Sequence, residues 1–238
     1  NYNGSYSTGI GFETLKTLSG NAHRNTAVGY RSMFGDSTGI EGTDNTSIGA
    51  SSMLNIKDGQ YNVAVGVNAA QNITDGNKNV AVGTNALQSV TTGENLVAIG
   101  YLAGDAQTTD DEGSIYIGSS AGSSDDGTNR NIFIGFDAGN KNTTGANNLA
   151  IGHKALEDMV SGIHNVAIGR EAGKELTGNQ NVAVGTYALQ DRVAGYYNTV
   201  VGDQAMRDST SGDKNLILGT SAMGNDTTGT GALNGLIV

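Results

Sequence analysis

The sequence predicts an all-β chain wound as a parallel β-solenoid, a β-roll of about thirteen coils of ~17 residues each. Three observations predict it. An apolar-x-apolar-Gly signature, usually led by Asn, recurs with its glycine at Gly29, Gly49, Gly66, Gly83, Gly100, Gly118, Gly135, Gly152, Gly169, Gly185, Gly202 and Gly219, mostly seventeen residues apart. A second glycine, as in Gly59, Gly76, Gly93, Gly145, Gly162, Gly178, Gly195, Gly212 and Gly229, closes each unit with a polar turn. Composition supplies the third: 37 Gly, no Pro, Cys or Trp and 5 % aromatic residues leave too few large apolar side chains for an ordinary globular core.

Each part of the unit has a physical reason. The apolar run before the first glycine, for example Val80-Ala81-Val82, is β-prone, and a helical repeat would need about 30 residues and tolerate little internal glycine. The glycines suit turns with positive φ or close approach of one coil to the next. Three residues after the first glycine stands Ala, or Ser in the first two copies, followed by a mostly apolar residue such as Leu87, so each coil is expected to hold two short strands joined by two turns. The leading Asn column runs Asn25, Asn45, Asn62, Asn79, Asn131, Asn148, Asn165, Asn181, Asn198 and Asn215, with Ser114 standing in once and Asn95 displaced by one residue. Two readings of it are open: an amide ladder from coil to coil, or local turn capping.

In the strand itself both faces are apolar, so both are expected to be buried. Ala at the middle position in seven of twelve copies suggests close approach by another chain, with the flanking Val and Ile filling the coil. An isolated coil stack would expose an apolar stripe, which identical chains packed about a symmetry axis would cover. The sequence does not choose between two and three chains, and the alternative is a monomeric solenoid with a small-residue core.

The units NVAVGTNAL, NLAIGHKAL, NVAIGREAG and NVAVGTYAL resemble the repeats in the heads of trimeric autotransporter adhesins. Asn25-Thr26-Ala27-Val28-Gly29-Tyr30 and the TTG at Thr91-Thr92-Gly93, Thr143-Thr144-Gly145 and Thr227-Thr228-Gly229 are similar to the repeats of phage tail fibres. The resemblance spans nearly the whole chain. It implies a parallel homotrimer on a virion tail fibre or bacterial cell surface, hence an extracellular protein whose partner is a host cell-surface receptor or glycan. The chain, 1–238, is expected to be one repeat domain from a longer fibre, since it does not begin with Met. It departs from the adhesins in its longer repeat and lack of a heptad stalk, and from the fibres in lacking a terminal chaperone.

The formal charge is −10, with 23 acidic against 13 basic residues and no basic cluster. Nucleic acid and anionic membranes are therefore poor partners, and no apolar run reaches membrane-spanning length. No cofactor motif is present: the glycines follow the coil period instead of forming a phosphate loop, and His23, His153 and His164 lack metal-ligand spacing. The acidic turns at Asp110-Asp111-Glu112 and Asp125-Asp126 leave equivalent coils and could converge on one edge to hold Ca²⁺. The same carboxylates, Asp110, Glu112, Asp125 and Asp126, would serve a glycan-cleaving tailspike, although the short turns leave little material for a groove. Paired threonines raise an ice-binding reading, which Lys57-Asp58 and Thr74-Asp75 interrupt. The expected function is therefore structural and adhesive, not enzymatic. Tyr30, Tyr101, Phe136, Tyr187, Tyr196 and Tyr197, in variable turns, are the candidate receptor contacts.

Overall fold

Among the described residues each coil contributes one short strand, three residues long except for the two-residue last one, and within each unit the strands stack parallel and in register on their sequence neighbours. In the computed structural model, residues 6–19, 21–35, 39–106, 113–126, 130–191, 194–208, 212–223 and 236–237 are described. The chain is an all-β parallel solenoid with no helix among these residues. It forms two compact units, Asn1–Ser119 with Asp126–Thr128 and Ser120–Asp125 with Asn129–Val238. The first holds β1 (Thr8–Ile10), β2 (Thr26–Val28), β3 (Thr46–Ile48), β4 (Val63–Val65), β5 (Val80–Val82), β6 (Val97–Ile99) and β7 (Ile115–Ile117). The second holds β8 (Ile132–Ile134), β9 (Leu149–Ile151), β10 (Val166–Ile168), β11 (Val182–Val184), β12 (Thr199–Val201), β13 (Leu216–Leu218) and β14 (Leu236–Ile237). Register follows the repeat: Ala81 of β5 lies between Ala64 of β4 and Ala98 of β6.

The faces of the strand are the reverse of the sequence expectation. Side chains alternate along a strand, and it is the middle residue that points inward: Ala64, Ala81, Ala98, Ala150, Ala167 and Ala183 are fully buried. The flanking residues, such as Val80 and Val82, face outward and are half-exposed. The close approach that selects alanine is made by the return leg of the same chain, because a seventeen-residue coil is too narrow for anything larger opposite a leucine.

That return leg is not a second strand. After Gly83, Asn85 (φ 59°) and Leu87 (φ 49°) are left-handed, and the same pair of positions is left-handed from coil to coil. A non-glycine residue in that region costs on the order of 1 kcal/mol. Hydrogen bonds between coils offset it: the Asn85 N–H donates to Val67 O of the preceding coil at 3.0 Å, and the Leu87 N–H to Ala103 O of the following coil at 3.0 Å. Successive left-handed residues thus turn their amides toward opposite neighbours. The residues expected on the return strand, Ala86 and Leu87, are fully buried all the same.

The repeat glycine is required by the stack itself. Gly83 has φ +134°, and a Cβ there would lie 2.4 Å from the carbonyl oxygen of Gly100. No side chain fits in that direction.

The interior is packed by exchange of volume between facing columns. Where β8 carries Phe133 instead of Ala, the facing position four residues after the repeat glycine is Gly139, and a Cβ on Gly139 would meet the Phe133 ring at 2.4 Å. Tyr116 of β7 is accommodated likewise by Gly104. In other coils a small strand residue meets a large return-leg residue, as Ala81 with Leu87, Ala150 with Leu156 and Ala183 with Leu189. Gly139→Ala is therefore expected to lose about 1–3 kcal/mol by overpacking, and Phe133→Ala about 3–5 kcal/mol by leaving a cavity. The double change Phe133→Ala with Gly139→Leu recreates the Ala150 and Leu156 pairing of the following coil and is expected to recover much of the second loss, as read from urea midpoints.

Candidate functional site

The buried asparagines form a continuous amide ladder inside each unit. In the first, the Oδ1 of Asn25, Asn45 and Asn62 accepts the backbone N–H of the next Asn, at 3.0, 2.9 and 2.9 Å, and Asn79 Oδ1 accepts from Leu96 N–H at 2.9 Å. In the second the same bonds link Asn131, Asn148, Asn165, Asn181, Asn198 and Asn215 at 2.8–3.1 Å. From Asn25 to Asn79 and from Asn131 to Asn198 each Nδ2 donates to the carbonyl of the turn glycine that closes its coil, for example Asn148 to Gly162 at 2.7 Å and Asn62 to Gly76 at 2.8 Å. One side chain thus satisfies an acceptor in its own coil and a donor in the next. The ladder reading is the one the structure bears out, with the turn bond as its second half.

Leu96, not Asn95, occupies the ladder position in its coil and is fully buried; Asn95 lies just outside at φ 58°. Asp125 also belongs to the interior. It stands seven residues after the repeat glycine, where other coils carry Ile56, Ile73, Val90, Met159 and Leu176, and it is fully buried. Its two oxygens accept from Asn142 Nδ2 at 2.8 Å and Asn131 Nδ2 at 3.0 Å. Asp126, the next residue, is exposed. Asp110, Asp111 and Glu112 lie outside the described residues. Among the described residues no group of three or more His, Asp or Glu side chains is placed to hold a metal ion.

The lateral surface is organised in columns too. Immediately after the repeat glycine, Tyr30 (53 % exposed) stacks on Phe12 with ring centroids 5.8 Å apart and planes within 5°. Tyr101 is exposed to the same degree, between Thr84 and Ser119 of the neighbouring coils. In the second unit Phe136 (49 % exposed) stacks on His153 at 5.5 Å. One position further on, Tyr187 lies 5.3 Å from each of the Arg170 and Arg207 guanidinium groups. Tyr196 and Tyr197 project from the turn before the ladder residue, and the Tyr196 N–H donates to Asp213 at 2.8 Å. The sequence reading missed Phe12, His153, Arg170 and Tyr61, another exposed turn tyrosine. The signal for the first three was position: each directly follows a repeat glycine, Gly11, Gly152 or Gly169.

Charges flank these columns as ion pairs. Arg24 donates twice to Asp44, at 2.6 and 2.7 Å, and this hydrogen bonding holds the exposed Asp44 carboxyl below the usual carboxylate range. Lys154 pairs with Glu157, and Lys174 with Glu157 and Asp158. Lys141, Asp158, Glu175 and Thr177 line a shallow open groove. Burial, then the nearby Glu157 charge, raises the Asp137 carboxyl above its ordinary value.

The outer strand face has a different character. Ile48, Ile99, Ile151 and Ile168 are 36–41 % exposed, and the flanking strand positions are predominantly β-branched and apolar from coil to coil in both units. No protein-family model matches the chain, and no curated protein or solved structure matches it either.

Removing one rung tests the ladder. Asn148→Ala leaves the Asn165 N–H and the Gly162 carbonyl without their partner, a loss of about 1–3 kcal/mol in unfolding free energy. Asn148→Asp keeps the acceptor, loses the donor and buries a carboxylate, so it is expected to cost more at neutral pH and to recover as the pH is lowered, measured by denaturant titration.

Proposed function

We propose that the chain is a structural and adhesive segment of an extracellular fibre, on a virion tail or a bacterial surface. In this reading it assembles as a parallel homotrimer and serves as a rigid spacer that presents repeated side-chain columns to a host receptor or glycan. The observation that carries the reading is the outer strand face. Its backbone hydrogen bonds are already made by the coils above and below, so what it offers a partner is a contiguous apolar surface repeated once per coil. Soluble monomers rarely expose a large surface of that kind. A second copy offers the same face at the same spacing, and closed rotational symmetry covers it on every chain.

The side chains that turn outward fit a display role. The aromatic columns at Phe12 and Tyr30, Tyr101, and Phe136 and His153 recur at the coil step, and Tyr196 and Tyr197 add a second row of turn contacts. Three chains would triple each row. Contacts of low individual affinity then act through avidity, which requires no deep pocket.

The solution mass tests the reading. Three times the chain mass of 24.3 kDa is expected by light scattering. Ile151→Lys with Ile168→Lys, which places charge on the outer face, is expected to lower the mass to that of one chain while the circular dichroism spectrum keeps its β character. A single-chain mass for the unaltered protein would overturn it.

A further inference from the structure

We infer that a column of carboxylates on one edge of the second unit is a proton-operated clamp between neighbouring coils. It is independent of any receptor. Asp158, Glu175, Asp191 and Asp208 each stand six residues after a repeat glycine, namely Gly152, Gly169, Gly185 and Gly202. The backbone locks this column in register. The Asp158 N–H donates to Lys174 O at 2.8 Å, the Glu175 N–H to Gln190 O at 2.9 Å, and the Asp191 N–H to Arg207 O at 2.9 Å. Four acidic side chains therefore follow one another at the coil step of about 4.8 Å, a spacing at which like charges repel.

Cations are unevenly distributed along the column. Lys141 and Lys174 both pair with Asp158 at its start. Arg207 lies 3.7 Å from Asp208 at its end, and its Nε donates to Gln190 Oε1 at 3.0 Å. The middle of the column is where acids face acids. Around Asp191 stand Lys174 and Glu175 from the coil before, Arg207 and Asp208 from the coil after, and Gln190 on its own coil; Arg192 lies outside the described residues.

Burial holds the Asp191 carboxyl above its ordinary range, and the hydrogen bond and charge of Asp208 and the charge of Glu175 add to it, with Arg207 opposing. A proton taken up there turns a repulsive pair into a carboxyl–carboxylate hydrogen bond, and it belongs to the pair as a whole. The sign follows from linkage. Over the window between the ordinary aspartate value and the raised one, the folded chain holds more protons than the unfolded chain, so stability falls as the pH rises through the raised value. Mild acidification from neutrality therefore tightens the coils that Asp191 and Asp208 join.

The test is thermal unfolding of the full chain, followed by circular dichroism between about pH 4 and pH 7 at constant ionic strength. The unaltered protein is compared with Asp191→Asn and Asp208→Asn. Either amide removes the repulsion permanently, so each variant is expected to melt a few degrees higher than the unaltered chain near neutral pH. That difference shrinks toward zero as the pH is lowered and the unaltered chain takes up its proton. Asp105 and Asp137, whose carboxyls burial also raises, are common to all three proteins and cancel in the difference. A difference that does not change with pH, or variants that melt lower near neutrality, would overturn the clamp. Should Asp191→Asn fail to fold, Asp208→Asn decides by the same comparison.

Discussion

Within each unit, the residues of one coil meet their repeats about 4.8 Å away in the next, and the rest of the structure depends on that constraint. A side chain can occupy a column only if it tolerates a copy of itself at that distance or is matched by a compensating neighbour. Asparagine is self-complementary, because its carboxamide both donates and accepts, and it fills the buried ladder from Asn131 to Asn215. The same logic works on the surface, where Asn55 donates to Asn72 at 2.9 Å and Gln88 to Gln71 at 2.9 Å. Glycine satisfies the constraint by having nothing to repeat. Rings satisfy it by stacking, and Lys141 and Asp158 do so by opposite sign, whereas the carboxylates that follow in that column do not.

Buried polar groups follow from the same constraint. A buried carboxylate would find no partner in a copy of itself, and Asp125 is held instead by two amide groups, Asn142 at the same position of the next coil and Asn131 of the ladder. The first coils show a neutral version. Ser32, Ser47 and Ser52 replace alanine at facing positions, and their hydroxyls bond one another, with Ser32 Oγ donating to Ser47 Oγ at 2.8 Å. Polar substitutions inside the coil therefore come in sets, because a single unpaired one would cost about 1–3 kcal/mol.

The solenoid, its period and its glycine columns could be read directly, because repetition turns one sequence into its own alignment. The direction of the strand faces could not. Val80-Ala81-Val82 is apolar on both sides, and alanine signals close approach without saying whether the approaching backbone belongs to the same chain. The return leg was misread because left-handed Leu87, Met53 and Leu156 are not turn formers; their conformation goes with amide hydrogen bonds to the following coil. Asp125 was read as an acidic turn residue, and its column corrects that, since Ile73 and Val90 at the same offset mark the position as interior. The candidate tyrosines were legible as exposed; that Tyr30 and Phe136 belong to stacked columns required knowing which residues the coil step brings together.

If self-complementary repetition holds the coils together, the amides bonded to ladder oxygens should be among the best protected in the chain. They precede the strands, where a local turn cap would leave them to exchange readily. Hydrogen exchange read residue by residue tests this most directly. The account predicts that the backbone amides of Asn62, Asn79, Asn165, Asn181 and Asn198 exchange as slowly as those of the strand residues that follow them. Exchange at the rate of solvent-exposed turn amides would contradict it.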